Sequence, residues 1–154
     1  MATPLDLKIS PVALSCLTGL LMWLVATNWP AAAIQLPYAP PAGLLAAAAG
    51  ITICMLAVVR FRRHRTTVLP FRPAAATALV TDGVYRFTRN PMYLGMLLVL
   101  AGWGLWLEHA GALLLLPPYV LWLHWFQILP EERAMTARFG DDYRAYQRSV
   151  RRWV

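Results

Sequence analysis

Residues 81–95, TDGVYRFTRNPMYLG, pass from a basic, polar segment into an apolar run, with Pro91 at the junction. Proline is tolerated in the first turn of a helix, where its missing N–H is no loss, and it pushes the residue before it out of helical conformation. Asn90-Pro91 therefore reads as a helix entrance. Just upstream stand Arg86, Arg89, Tyr85, Phe87 and Gly83, held where a membrane would meet water. That is the first place to seek a polar ligand.

The surrounding composition supports a membrane setting. Of 154 residues, 59% are hydrophobic and only 14% charged, a balance foreign to soluble domains of this size. The net charge of +7 is concentrated rather than spread. Residues 1–59 hold only Asp6 and Lys8; residues 60–90 hold seven Arg against Asp82; residues 91–129 hold only Glu108; residues 130–154 hold six Arg against four acids. Basic blocks that flank apolar runs are explained by membrane topology and anionic lipid, and a nucleic-acid partner is not expected.

Four apolar runs follow from the sequence: 12–29, 43–59, 91–107 and 112–129. Each is close to the roughly 20 residues that cross a bilayer. The first has a single Lys8 before it and no small-residue cleavage site near Trp29-Pro30, so it is read as a retained span. The second is rich in Ala and Gly, which let helices approach closely in lipid. Arg60, Arg62, Arg63 and Arg65 behind it anchor its end and offer contacts to lipid phosphate. Residues 74–80, AAATALV, are read as a short helix turned back toward the core. The turn 108–111 makes the third and fourth runs an antiparallel hairpin. Pro117-Pro118 should kink or break the fourth. The tail after Pro130 reads as a membrane-surface helix pair or one bent helix interrupted at Gly140-Asp141, with Arg148, Arg151, Arg152 and Trp153 at the interface.

The expected fold is thus an all-α integral membrane bundle, one domain over 1–154. It has four transmembrane helices, a fifth membrane-embedded segment left open, and an amphipathic C-terminal helix. Both basic blocks lie on one side, which puts both termini and the 60–90 connection in the cytoplasm of a multi-pass protein of the cell (inner) membrane. Cys16 and Cys54 fall inside predicted spans, and no metal-ligand pair is present.

Three segments, TTVLPFRP (66–73), ALVTDGVYRFTRNPMYLG (78–95) and EERAMTARFGDDYRAYQRSVRRW (131–153), resemble in order and spacing the isoprenylcysteine carboxyl methyltransferase and phospholipid methyltransferase superfamily. The resemblance covers residues 66–154; residues 1–65 add two spans and the basic anchor. It implies an integral membrane enzyme that binds S-adenosylmethionine at the cytoplasmic side and takes a lipophilic or lipidated acceptor from the membrane. By position it implies a cofactor pocket of Thr77, Ala78, Leu79, Val80, Tyr85, Asn90, Pro91, Met92, Tyr93 and Glu131. Glu131 suits the cofactor's ammonium, and Arg89 or the N–H groups behind Pro91 suit its carboxylate. Tyr85, Tyr93, Trp125 and Phe126 are candidates to line the adenine or attract the sulfonium. The plainer alternatives are a first helical turn for Glu131-Glu132, interfacial belts for Tyr93 and Trp125, and packing for His124.

Two departures bear on the acceptor. Asn90 stands where the isoprenylcysteine enzymes carry His, and Gln127 stands where they carry an arginine four residues before the cofactor glutamate. A substrate carboxylate would lack a charge-assisted partner there. Gln127 and Trp125 are the candidate substrate contacts; Glu132, His124 and Arg89 are the candidate catalytic groups. A carboxylate acceptor needs no base, whereas an amine must shed a proton, for which Glu132 or His124 is nearest. A small hydrophobic thiol, amine or isoprenoid acid is the alternative acceptor, and a non-catalytic scaffold of the same fold the alternative function.

Overall fold

The computed structural model describes residues 7–64 and 77–154. The expected all-α bundle is what they form, with no strand among them beyond an isolated bridge between Ala33 and His109. Helix α1 spans Pro11–Asn28 and α2 spans Ala39–Arg63. Prolines open both: Pro11 begins α1, and Pro40-Pro41 sit in the first turn of α2, which starts four residues before the apolar run suggested. Thr27 and Asn28 side chains bond back to the Trp23 and Leu24 carbonyls, which keeps these polar groups satisfied within the last turns of α1.

Helix α3, Pro91–Trp106, begins at the expected entrance. Its 16 residues give about 24 Å, short of the roughly 30 Å hydrocarbon layer, whereas α1, α2 and the stretch Ala110–Ser149 are long and apolar enough to cross. After the turn come α4, Ala110–Leu113, and α5, Leu116–Leu123. The chain breaks at Leu114-Leu115, just before Pro117-Pro118, and the prolines then occupy the first turn of α5. The proline pair does interrupt the run, and it does so by starting a new helix.

Helix α5 continues through a π turn, His124–Ile128, directly into α6, Leu129–Ser149. Glu131-Glu132 accordingly lie inside a continuous helical stretch. The expectation of a first turn, with acids answering a helix dipole, is corrected by the helical φ and ψ of Leu123, Ile128 and Leu129. The expected bend falls at Gly140, whose φ of 54° is open to glycine without strain. Residues 77–80 are not helical, so the short helix predicted there is absent where it can be described; 74–76, Arg65 and Arg72 lie outside the described residues.

Helices α2 and α3 share the largest interface, and glycine makes it possible. A Cβ on Gly95 would collide with the Gly50 carbonyl, and the Gly43 and Gly102 backbones approach in the same way. Close backbone contact replaces the hydrophobic driving force that lipid removes. Helix α1 packs on α3, α4 and α5 instead, so α1 and α2 splay apart. Most of α1 faces outward, with only Pro11, Thr18 and Met22 buried. The far ends are tied by the Ile34 N–H donating to the Glu108 carbonyl at 2.8 Å. Beside it, buried His109 reaches the Trp29 carbonyl through Nε2 and caps α4 by accepting the Ala112 N–H at Nδ1.

Candidate active site

At the end of the bundle that carries the arginines, three pieces of chain meet: residues 77–90, the start of α6, and the tail 147–153. Thr88 donates to the Arg152 carbonyl at 3.1 Å, Asn90 Nδ2 donates to the same carbonyl at 3.0 Å, and the Arg89 N–H donates to the Arg151 carbonyl at 3.0 Å. The tail is therefore strapped across the entrance of α3. Tyr146 on α6 donates to the Tyr85 carbonyl at 2.6 Å and fixes the turn Gly83–Arg86 from the other side. Gly83 has φ 61°, and Arg60 lies where a side chain would project, on its way to Asp82 at 2.9 Å.

Glu132 is the hub of this region. Arg89 Nη2 donates to its Oε1 at 2.8 Å; Arg152 donates through Nε at 3.0 Å and through Nη2 to Oε2 at 2.7 Å. The side chains of Arg89 and Glu132 are only 10% and 11% exposed, so this is a buried, charge-assisted network. The hydrogen bond to Glu132 raises the pKa of Arg152 and keeps it charged. Arg89 Nη1 is also spent, on the Gln147 and Val150 carbonyls. Glu132 does not fit its expected catalytic part, because a carboxylate held by two guanidiniums is a poor base; Arg89 has both terminal nitrogens engaged, and its buried Nε is without a hydrogen-bond partner among the described residues. Arg152 and Trp153, expected at the interface, turn inward, Trp153 onto the core that contains Tyr93 and Leu123.

Glu131, one residue away, has a different setting. Its Oε1 accepts the Tyr93 hydroxyl at 2.5 Å, and its charged neighbour is Glu132 rather than an arginine. Tyr93 is buried, which removes it from the interfacial belt, and Pro91 beside it is fully buried. The first intrahelical bond of α3 runs from the Leu94 N–H to the Asn90 carbonyl, so the N–H groups of Met92 and Tyr93 have no intrahelical partner. Val80 and Tyr85 are buried in one cluster with Tyr143 and Tyr146, against which Leu79 and Met92 pack. Burial pushes the Tyr85 phenol well above its ordinary pKa. Ala78 is half-buried and Thr77 exposed. The structure thus brings Val80, Tyr85, Met92, Tyr93 and Glu131 to one end, while Asn90 is turned to the tail.

The π turn sets the remaining candidates. Gln127 is fully buried, its Nε2 donating to the Ile9 carbonyl at 2.6 Å, and its Oε1 has no hydrogen-bond partner among the described residues. His124 Nδ1 lies 3.4 Å from Arg152 Nη1; accepting there puts the ring proton on Nε2, where it donates rather than accepts. Trp125 faces outward, and Phe126 packs against Trp122, so neither lies with Tyr93. Sequence reasoning missed Arg152 as a partner of Glu132. Its signal was the R-R-W triplet, which reads equally as an interfacial anchor.

Comparison with known proteins supplies the chemistry. A protein of Haemophilus influenzae, itself uncharacterised, is 44% identical over 63 residues, covering 41% of this chain and all of that protein. The protein-S-isoprenylcysteine O-methyltransferase of Schizosaccharomyces pombe is 37% identical over 73 residues, 47% of this chain but only 30% of the yeast enzyme. No solved structure matches. The family model described as phospholipid methyltransferase matches residues 39–142, from the first turn of α2 through the Glu131-Glu132 pair to just past the bend in α6. The glycine-packed α2–α3 pair and the start of α6 are thus the part held in common, and the chain belongs to the phospholipid methyltransferase family of membrane methyltransferases.

Proposed function

We propose that this membrane methyltransferase uses S-adenosylmethionine, held at the arginine-bearing end of the bundle, to methylate a lipophilic acceptor drawn from the membrane. The single observation that carries the cofactor reading is the contrast between adjacent acids. Glu132 is neutralised by Arg89 and Arg152, whereas Glu131 is oriented by Tyr93 and has no cation partner among the described residues. A carboxylate fixed in position and lacking a counter-charge suits an ammonium. The Met92 and Tyr93 N–H groups, which have no intrahelical partner, suit a carboxylate, and the Tyr85, Val80 and Met92 surfaces suit a flat apolar ring. When bound, the cofactor supplies an activated methyl on a sulfonium, so the protein's task is to hold the partners in line and exclude water.

The acceptor reading follows from Gln127. One of its two Nε2 N–H groups goes to the Ile9 carbonyl and its Oε1 has no partner among the described residues, so this neutral amide offers an acceptor to an N–H or O–H donor and no positive charge to a carboxylate. This favours a phospholipid amine over an isoprenylcysteine carboxylate. The positive-inside rule supports a cytoplasmic basic end in a multi-pass protein of the cell (inner) membrane. Thermal unfolding of the purified protein with S-adenosylhomocysteine tests the cofactor: a ligand confined to the folded state at 100 times its Kd adds about 2.7 kcal/mol. Transfer of labelled methyl to phosphatidylethanolamine but not to a prenylcysteine supports the acceptor. The reverse preference contradicts it.

A further inference from the structure

Pro130 stands one residue before Glu131, inside the continuous helical stretch that carries α5 into α6. In a regular α-helix residue 130 would donate its N–H to the Phe126 carbonyl; proline has no N–H, and its ring collides with that same carbonyl. Proline at such a point would as readily begin a new helix. Here the helix runs on instead, through the π turn His124–Ile128, in which the Leu129 N–H reaches back five residues to the His124 carbonyl. The wider turn makes room for the ring. It leaves the Phe126 carbonyl without its α-helical donor, and a backbone acceptor in an apolar setting needs another.

The segment that leads into α1 supplies it. The Leu7 N–H donates to the Phe126 carbonyl at 3.0 Å, and the next residue of the π turn, Gln127, donates through Nε2 to the Ile9 carbonyl at 2.6 Å. Leu7 makes its contact at φ 58°, a conformation that costs a leucine and suits a glycine. Ser15 and Tyr119, bonded at 2.8 Å, tie the first turns of α1 to α5 a little further along.

The consequence reaches the candidate site. A π turn closes over about five residues where an α turn takes about 3.6, so it absorbs roughly one extra residue, and one residue is about 100° of helix rotation. With the turn in place, α5 keeps Tyr119 and Leu123 in the core while α6 carries Glu131 to Tyr93 and Glu132 to Arg89 and Arg152. Without it, those two faces fall out of phase.

We infer that residues 7–9 are a positioning element: they lock the π turn that accommodates Pro130 and thereby aim Glu131 at Tyr93. The effect of this lock on S-adenosylmethionine rests on the proposed function; the lock itself rests on the bonds to Phe126 and Gln127.

The test compares Leu7→Pro, which removes the N–H, with Leu7→Gly, which keeps it and suits the positive φ, each as the full chain in nanodiscs. Hydrogen exchange in residues 124–133 should rise at least fivefold in Leu7→Pro, with 91–106 unchanged, and should stay at the wild-type level in Leu7→Gly. Affinity for S-adenosylmethionine, read by calorimetry on the same samples, should fall at least fivefold in Leu7→Pro and hold in Leu7→Gly. Pro130→Ala gives Phe126 back its helical donor. It should fold, bind S-adenosylmethionine at least tenfold more weakly, and make a further Leu7→Pro change worth less than twofold. If Leu7→Pro alone does not fold, Pro130→Ala carries the test. Full affinity in Pro130→Ala, exchange at 124–133 unmoved by Leu7→Pro, or a rise spread evenly over the bundle overturns the lock. Exchange that behaves as predicted in a protein whose wild type binds no S-adenosylmethionine supports the lock and faults the cofactor reading alone.

Discussion

At the arginine-bearing end, Glu132 is gripped by two arginines at 2.7–2.8 Å and the tail is tied to residues 88–90 by backbone and side-chain bonds. In the membrane half, α2 and α3 meet through glycine backbones with no ion pair between them, and α1 stands partly away. Water is available at one end and absent at the other. Burying a charge is tolerable only where partners satisfy it, so the ion pairs gather at the basic end, while close packing with a few neutral hydrogen bonds, such as Trp103 to the Gly19 carbonyl and Ser15 to Tyr119, organises the lipid-facing half. The proposed site, which would orient a charged cofactor and reach a lipid, draws on both, and the start of α3 is where they join.

Removing the hub should separate the two regions most sharply. Glu132→Ala leaves two guanidiniums without their carboxylate, and breaking a mostly buried pair costs about 3 kcal/mol. Thermal unfolding in detergent should show a large fall; a change within error would mean the network contributes nothing to stability. Next is Gly95→Leu, which overpacks the α2–α3 contact and should cost about 2 kcal/mol. If Gly95→Leu is harmless, the glycine account of the membrane half fails.

These two sites also show what the sequence could and could not reveal. The spans, the entrance at Pro91, the bend at Gly140 and the packing glycines were legible, because proline, glycine and uncharged runs act through local physics. Glu131 and Glu132 were legible as a pair, but their division was not. Which acid turns to Tyr93 and which to Arg89 and Arg152 depends on the π turn that carries α5 into α6 and on a tail folded back over 20 residues. No local pattern announces either. The same fold-back turned Arg152 from an expected interfacial anchor into an ion-pair partner.

A smaller effect sharpens the comparison from the tail side. Arg89→Lys keeps the charge but cannot reach Glu132 and the Gln147 and Val150 carbonyls together, and should cost about 1–2 kcal/mol. Proteolysis at 150–154 should become faster as the strap loosens; unchanged proteolysis would show that the tail is held otherwise. Smallest of all is Arg144→Ala. Its pair with Asp141 is exposed, and unfolding should move by less than about 0.5 kcal/mol.

The central claim is that adjacent acids do different work, Glu131 for the ligand and Glu132 for the fold. Titration calorimetry of S-adenosylmethionine against wild type and Glu131→Ala, with unfolding measured on the same samples, tests it directly. The account predicts binding by wild type and at least a tenfold loss in the variant, about 1.4 kcal/mol or more, with unfolding nearly unchanged. Equal binding by both proteins, or no binding by wild type in detergent and in nanodiscs, would contradict it.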